Sequence, residues 1–247
     1  ESIGDLSSLE ELRINHNQLT SIPESIGNLV NLTYLNLGLN YFYGSIPESI
    51  GNLVNLDELY ITDNQFTGAL PESIGNLTEL TMVSIFDNQF SGPLPATIGN
   101  LTNLISFNAG ANQFSGVIPE SIGNLVNLDR LWLSYNNLSG QIPESICNLN
   151  NIMWSGEWLD GDHSYINDNN LCPEYPECIA DNVGWQYTYN CSEFDLGDVN
   201  NDYEINILDI ITMVNFILTN TYDEFADINE DGIVDILDIM LIVNSII

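Results

Sequence analysis

The chain has 247 residues, of which 35 are Asp or Glu and only two are basic, so its formal net charge is −33 at pH 7. Nucleic acids and anionic membranes are bound through Lys and Arg, so this charge argues strongly against both kinds of partner. No stretch approaches the ~20 apolar residues that a membrane-spanning helix needs.

Leucine recurs in one phase through the first two thirds of the chain, once after 23 residues and then five times after 24. The unit at 53–76 reads LVNLDELYITDNQFTGALPESIGN. The leucines that mark the phase are Leu6, Leu29, Leu53, Leu77, Leu101, Leu125 and Leu149. This pattern resembles the leucine-rich repeat. Its IPESIGN half resembles the plant-type subclass of plant receptor ectodomains and polygalacturonase-inhibiting proteins.

The resemblance implies a solenoid of stacked units. Each unit is expected to add a short strand, with side chains such as Leu59 and Ile61 pointing inward, to a curved parallel sheet. One Asn per unit is expected to be buried and bonded to loop backbone; this column is Asn17, Asn40, Asn64, Asn88, Asn112, Asn136 and Asn169. The predicted fold class is α/β, a leucine-rich-repeat solenoid with an irregular or 3-10 convex side, followed by a small all-α domain.

Side chains that flank the inward-pointing residues are expected to line a concave face. They are Tyr34, Asp57, Tyr60, Asp63, Met82, Phe86, Asp87, Asn108, Asp129, Arg130, Trp132 and Tyr135. A row of surface aromatics is unusual for a monomer and typical of binding hot spots or sugar-stacking platforms. We therefore expect a protein or glycan ligand to contact Tyr34, Tyr60, Phe86, Arg130, Trp132 and Tyr135. The alternative is that each aromatic is an isolated, tolerated substitution.

The repeat pattern is interrupted near Met153–His163 and resumes at Ile166–Leu171. The four cysteines, Cys147, Cys172, Cys178 and Cys191, all lie at this end of the array and lack zinc-like spacing. They predict an oxidised cap over the last repeat. The repeat register places Cys178 near Cys147, which favours the pairs Cys147–Cys178 and Cys172–Cys191, although all three pairings remain open.

The predicted domains are the repeat array at 1–171, the cap at 172–192, a linker at 193–196 and a C-terminal module at 197–247. Residues 1–4 match the end of a repeat, as at 24–27. We therefore expect the chain to be a fragment whose export signal and N-terminal cap lie upstream.

Two copies of one acidic pattern, 29 residues apart, occupy the C-terminal module. Residues 198–209 read DVNNDYEINILD, and residues 227–238 read DINEDGIVDILD. Oxygen-bearing side chains fall at positions 1, 3, 5, 9 and 12, and a backbone carbonyl is available at position 7, which is the spacing of an EF-hand loop. Each loop is therefore predicted to bind one Ca²⁺, so that the module folds only with two ions.

The tandem also resembles the dockerin family, a module of two calcium loop–helix repeats that binds a cohesin domain on a scaffold or cell-surface protein. The resemblance assigns the first ion to Asp198, Asn200, Asp202, the Glu204 carbonyl, Asn206 and Asp209. It assigns the second ion to Asp227, Asn229, Asp231, the Ile233 carbonyl, Asp235 and Asp238. Position 6 of the first loop is Tyr203, where a Gly normally makes the turn, so this site is expected to be the weaker one.

Loop positions 10 and 11 are the same apolar pair in both copies. The dockerin resemblance places partner contacts there, at Ile207, Leu208, Ile236 and Leu237. At least one member of each pair is also expected to belong to the core of the module. Because the module is internally duplicated, a half-turn rotation would present nearly the same surface, so either copy is expected to engage a cohesin.

No convincing catalytic site is present, because neither His belongs to a recognisable catalytic pattern. We expect a monomeric, secreted or surface-associated, non-catalytic recognition protein, whose repeats bind a ligand and whose C-terminal module tethers it to a cohesin through calcium. One alternative is a structural adhesin in which the calcium module only stabilises or self-associates. Another, by analogy with plant-type repeats, is a carbohydrate-binding or enzyme-inhibiting role.

Overall fold

A computed structural model of the chain describes residues 2–156, 163–188, 191, 199–200, 205–219, 221, 226–229 and 232–246. The chain divides into two units, Glu1–Tyr187 and Thr188–Ile247, and each is described by itself. Among the described residues, no helix is long and apolar enough to cross a membrane.

The first unit contains two parallel sheets, and most repeats contribute one strand to each. In chain order the strands are β1 (Glu11–Arg13), β2 (Tyr34–Asn36), β3 (Tyr43–Gly44), β4 (Glu58–Tyr60), β5 (Gln65–Gly68), β6 (Met82–Ser84), β7 (Gln89–Gly92), β8 (Ser106–Asn108), β9 (Gln113–Gly116), β10 (Arg130–Trp132), β11 (Asn137–Gln141) and β12 (Asn170–Cys172). The concave sheet has the order β1-β2-β4-β6-β8-β10, and the second sheet has the order β12-β11-β9-β7-β5-β3.

Short 3-10 helices close the turns of the solenoid. They are Ser2–Asp5, Glu24–Asn28, Glu48–Asn52, Glu72–Asn76, Ala96–Asn100, Glu120–Asn124, Glu144–Asn148 and Ala180–Asn182. Six of these eight begin directly after a Pro of the repeat consensus, whose fixed φ and missing N–H suit the start of a helix. The predicted solenoid with its 3-10 convex side is confirmed.

The core of the solenoid is a ladder of apolar side chains, one set per repeat. Leu59 and Ile61 are each 1% exposed, whereas their strand neighbour Tyr60 lies on the opposite side, because successive side chains of a strand alternate. Beneath the second sheet, the rings of Phe42, Phe66, Phe90 and Phe114 stack with centroids 5.7–5.9 Å apart. Each large apolar side chain buried in this way contributes about 1.5–3 kcal/mol.

The predicted asparagine column is a ladder of amides that bind loop backbone. Asn88 donates its Nδ2 to the carbonyls of Ile61 and Ile85 at 2.9 and 3.2 Å, and its Oδ1 accepts from the amide of Phe66 at 3.1 Å. Asn64 is half-buried and Asn17, in the first repeat, is exposed. The buried members of the column are Asn40, Asn88, Asn112, Asn136 and Asn169.

The ladder continues one turn further than the sequence indicates. In the cap, the side-chain oxygen of Gln186 accepts from the amide of Leu171 at 3.2 Å. Its Nε2 donates to the carbonyls of Ile166 and Val183 at 2.9 and 3.1 Å. Gln186 thus does for the cap what an Asn does for each repeat.

Replacing Asn88 by Ala should destabilise the repeat array by about 1–3 kcal/mol, because the buried amide of Phe66 loses its acceptor. The carbonyls of Ile61 and Ile85 each keep a second donor, the side-chain amide of Asn64 or of Asn112. The neighbouring variant Gln89→Ala changes an exposed side chain and should stay within about 0.5 kcal/mol of the parent. Urea unfolding followed by tryptophan fluorescence measures both. Equal midpoints for the two variants would show that the ladder does not stabilise the fold.

Adjacent convex turns pack so closely that a side chain would clash at the Gly of the repeat's IGN segment wherever another regular repeat follows. A Cβ on Gly99 would lie 2.4 Å from the carbonyl oxygen of Ser121 in the next repeat. In the sixth repeat this glycine is replaced by Cys147, which forms a disulfide with Cys178 across a Cα–Cα distance of 5.6 Å. This is the pairing that the repeat register favoured. Cys172 and Cys191 are also disulfide-bonded.

Two α-helices dominate the described part of the second unit, α1 (Ile207–Thr219) and α2 (Ile236–Ile246). Among the described residues of this unit, the buried apolar side chains are those of Val199, Met213, Ala226, Ile239 and Ile242. A unit of this size buries only a modest share of its apolar surface, so a bound metal would add substantially to its stability.

Candidate calcium loops, docking faces and concave surface

The Asp at position 12 of each loop is fully buried and binds the backbone of its own loop. Asp209 has an exposed fraction of 0%. Its Oδ1 accepts from the amides of Val199 and Asn200 at 2.9 and 3.1 Å, and its Oδ2 accepts from the amide of Asn206 at 2.8 Å. Since Asp209 lies in the first turn of α1, these bonds fix the loop against the helix.

The second loop repeats this arrangement with Asp238, which is also 0% exposed. Its Oδ1 accepts from the amide of Asn229 at 3.2 Å, and its Oδ2 accepts from the amide of Asp235 at 2.8 Å. At position 6, Gly232 has φ +86° and donates its amide to Asp227 Oδ2 at 2.8 Å. A side chain would be strained at that φ, which explains the glycine.

Position 9 of each loop caps the helix that follows. Asn206 Oδ1 accepts from the amide of Leu208 at 2.8 Å, and Asp235 Oδ1 accepts from the amide of Leu237 at 2.7 Å. Each loop is thereby joined to its helix at both position 9 and position 12. The remaining side-chain ligands expected from the resemblance, Asp198, Asp202 and Asp231, lie outside the described residues, as do Glu204 and Tyr203.

The donor chemistry of the loops fits Ca²⁺. Their described ligand candidates carry carboxylate or amide oxygens, which are the donors that this hard cation prefers. Buried carboxylates need a cationic partner, and the sequence has no Lys or Arg after Arg130. Among the described residues alone, no three His, Cys, Asp or Glu side chains converge on a point. A bound ion would supply the positive charge that Asp209 and Asp238 lack.

The apolar pairs after each ligand cluster are solvent-exposed. Ile207 and Ile236 are both 62% exposed, and Leu208 and Leu237 are both 52% exposed. The expectation that one member of each pair lies in the core is therefore wrong. The reason is helical geometry: α1 and α2 turn Met213, Ile239 and Ile242 inward, which leaves the first two residues of each helix on the outer side.

In the N-terminal half of the concave sheet, the aromatic side chains contact one another and neighbouring charged side chains. The Arg13 guanidinium lies 3.8 Å from the centre of the Tyr34 ring, whose centroid is 5.6 Å from that of Tyr60. The Tyr60 hydroxyl donates to Glu58 Oε2 at 2.7 Å. Burial, together with the hydrogen bond to Glu58 and its charge, raises the pKa of Tyr60 well above its usual value. Tyr34 and Tyr60 thus have partners within the sheet.

The C-terminal half of the concave sheet carries short side chains on β8. Ser106 is buried, and the half-buried Asn108 is paired with Ser84 of β6 and with Trp132 of β10. Phe86 lies beside Gly110, just after β8. The Arg130 guanidinium lies 5.9 Å from the Trp132 ring centre. Arg130 Nε is buried without a hydrogen-bond partner among the described residues, and Asp129 is 3.8 Å away.

The other expected concave residues fall into three rows. Met82 and Asn108 lie in strands, while Asp57 and Asp129 directly precede strands. Asp63, Asp87 and Tyr135 lie in the turn after the strand, each with φ between 52° and 57°. Tyr135 therefore belongs to the edge of the sheet rather than to its centre.

Family models match both parts of the chain. Residues 24–115 match the leucine-rich repeat region, and residues 8–29 and 127–149 match the leucine rich repeat. Residues 196–247 match the dockerin type I domain. A search of curated proteins found no match.

Solved structures with a similar fold include plant receptor ectodomains. The plant peptide hormone receptor RGFR1 in complex with RGF2 is 36% identical, with a TM-score of 0.64 over 69% of this chain and 26% of that chain. The LRR ectodomain of the receptor kinase GASSHO1/SCHENGEN3 from Arabidopsis thaliana, in complex with CASPARIAN STRIP INTEGRITY FACTOR 2, is 33% identical, with a TM-score of 0.65 over 74% of this chain and 22% of that chain.

A bacterial structure is also similar. An LRR protein of Leptospira interrogans is 34% identical, with a TM-score of 0.58 over 68% of this chain and 40% of that chain. The chain therefore spans about a quarter of the two receptor chains and less than half of the Leptospira chain. The family matches and the folds of the two units identify the chain as a leucine-rich repeat array followed by a C-terminal type I dockerin domain.

Proposed function

We propose that the chain is a secreted, non-catalytic recognition protein. Its repeats bind a protein or glycan ligand, and its dockerin domain tethers it to a cohesin on a scaffold or cell surface, in a calcium-dependent manner. The observation that carries the tether is the duplicated surface of the second unit. Two identical Ile-Leu pairs, at 207–208 and 236–237, are exposed to the same degree beside two buried Asp residues.

The duplication explains why either helix could dock. In each copy, position 9 caps the helix and position 12 anchors the loop, so the apolar pair between them is held rigidly on the surface. A pair held in this way loses little side-chain entropy on binding, which favours a tight contact. Two ions, held by the loop residues assigned above, would fix both pairs at once.

Ligand recognition is assigned to the C-terminal half of the concave sheet. Arg130 and Trp132 of β10 lie beside the short side chains of β8, and Phe86 lies near Gly110. The buried Arg130 Nε has no hydrogen-bond partner among the described residues. The Tyr34 ring packs against the Tyr60 ring, and the Tyr60 hydroxyl donates to Glu58, so these two side chains already make their contacts within the sheet.

An extracellular location is supported by two observations. The chain carries two disulfides, which persist in oxidising surroundings, and its fold is that of receptor ectodomains. A dockerin domain in such a location would also link the protein to polysaccharide breakdown, which is a role that the family resemblance implies.

Light scattering of the full chain separates the tether from the alternative, a surface component whose calcium module self-associates. In calcium, the chain alone should have the mass of a monomer, and a matching cohesin should add the mass of one copy. A dimer or larger species without cohesin, and no mass increase with any cohesin of a panel, would favour the alternative.

A further inference from the structure

In the described part of the first unit, the exposed aromatic side chains form two groups at opposite ends of the array. Tyr41 and Tyr43 lie at the N-terminal end, beside the exposed aliphatic residues Leu19 and Leu39. At the C-terminal end, Tyr135, Trp185 and Tyr187 are 56%, 64% and 46% exposed. Aromatic surface left in water on this scale marks a binding site more often than chance.

The C-terminal group is built on successive turns of the solenoid. The amide of Asn136 donates to the carbonyl of Asp168 at 3.2 Å, and the amide of Asp168 donates to the carbonyl of Trp185 at 2.6 Å. Adjacent turns lie about 4.8 Å apart, so the backbones of Tyr135 and Trp185 are separated by roughly 10 Å, with Asp168 between them. The Tyr187 ring packs edge-on to Trp185, with centroids 6.3 Å apart.

Polar groups alternate with these rings. Asp168 Oδ2 accepts from Asn167 Nδ2, and this pair lies between the turns that carry Tyr135 and Trp185. Asn137 of β11 follows the turn that carries Tyr135, and Asn170 of β12 follows the turn that carries Asp168. Aromatic faces next to carboxylate and amide groups match a pyranose chain, which presents apolar C–H faces to rings and hydroxyls to polar side chains.

The negative charge of the chain further restricts the class of ligand that this surface could bind. The sequence has no Lys or Arg after Arg130, and the net charge of the chain is −33, so a polyanionic ligand would be repelled. We infer that Tyr135, Trp185 and Tyr187, with Asp168, form a binding surface for a neutral polysaccharide at the C-terminal edge of the array. This inference rests on the proposed recognition role of the repeats and does not depend on cohesin binding.

Affinity electrophoresis of the full chain in calcium tests this surface. Gels would contain hydroxyethyl cellulose, neutral mannan, or polygalacturonate as the anionic comparison. The parent chain should be retarded in at least one neutral gel and not by polygalacturonate. Trp185→Ala should weaken retardation about tenfold or more, as for a hot-spot aromatic. The double variant Tyr135→Ala/Trp185→Ala should migrate as it does without polysaccharide.

Tyr43→Ala is the matched control, because Tyr43 is 63% exposed but lies at the other end of the array. It should bind like the parent, and Trp185→Phe should retain most of the affinity because a ring remains. Unchanged thermal midpoints would confirm that the variants fold. Cohesin capture should be equal for all of them, so failure of this inference is distinguishable from failure of the tether. No retardation in any neutral gel, or equal losses for Tyr43→Ala and Trp185→Ala, would overturn it.

Discussion

Removing calcium from the full chain should unfold residues 197–247 and leave the repeat array folded. In the described part of the second unit, five apolar side chains and the carboxylates of Asp209, Asp227 and Asp238 are buried, and the sequence of the unit contains no Lys or Arg, so we expect it to need the ions. At free calcium of 100 times Kd, each site contributes about 2.7 kcal/mol. Hydrogen exchange read by mass spectrometry should show α1 and α2 losing protection after chelation, while β1 to β12 keep theirs.

A single substitution should remove one of the two expected calcium ions. Asp238→Asn removes one of the two buried carboxylates described in the second loop, Asp227 and Asp238, so the calcium stoichiometry should fall from two to one. Asp181→Asn makes the same charge change at an exposed residue of the cap and should leave the stoichiometry at two. Unaltered amide hydrogen exchange in α1 and α2 after exhaustive chelation would contradict the proposal that this unit needs calcium to fold. Loss of protection throughout the chain would show instead that the two units are not independent.

Cohesin binding should disappear only when both exposed apolar pairs are damaged. Leu208→Asp or Leu237→Asp alone removes one of two equivalent docking faces, so affinity should fall only about twofold, by the loss of one of two orientations. The double variant should abolish binding, because burying each Leu contributes about 1.5–3 kcal/mol and a carboxylate in its place opposes the contact. Surface plasmon resonance with an immobilised cohesin measures all three.

The control for this series is calcium binding, which should remain at two ions in every variant, because both Leu residues are exposed and outside the core. If either single substitution destroys cohesin binding while calcium binding is intact, the module docks in one orientation only. The internal duplication would then have no functional consequence for docking.

Repetition explains how much of the fold was predictable. The inward positions of Leu59 and Ile61 and the buried amide of Asn88 follow from a pattern that recurs in every unit. The cap departs from that pattern. Gln186 continues the amide ladder from a residue type and spacing that no repeat shares, so its role is visible only in the hydrogen bonds to Leu171 and its neighbours.

Surface roles were harder to predict than buried ones. The loop spacing predicts Asp209 and Asp238 as position-12 loop residues. It could not show that Leu208 and Leu237 lie outside the core, because an apolar pair at the start of a helix fits both a buried and an exposed environment. Similarly, the sequence did not distinguish Tyr34, which packs against Arg13, from residues of the C-terminal half of the sheet. Those distinctions depend on side-chain conformation. The exposure of Trp185, on which the proposed polysaccharide surface rests, could not be predicted either, because this residue follows the last recognisable repeat.

Calorimetric titration of a matching cohesin into the full chain tests the tether most directly. With calcium present, the heat should fit one cohesin per chain. After chelation it should vanish, and added calcium should restore it. Binding of equal strength with and without calcium would contradict this account, as would a calcium-loaded chain that binds no member of a broad cohesin panel.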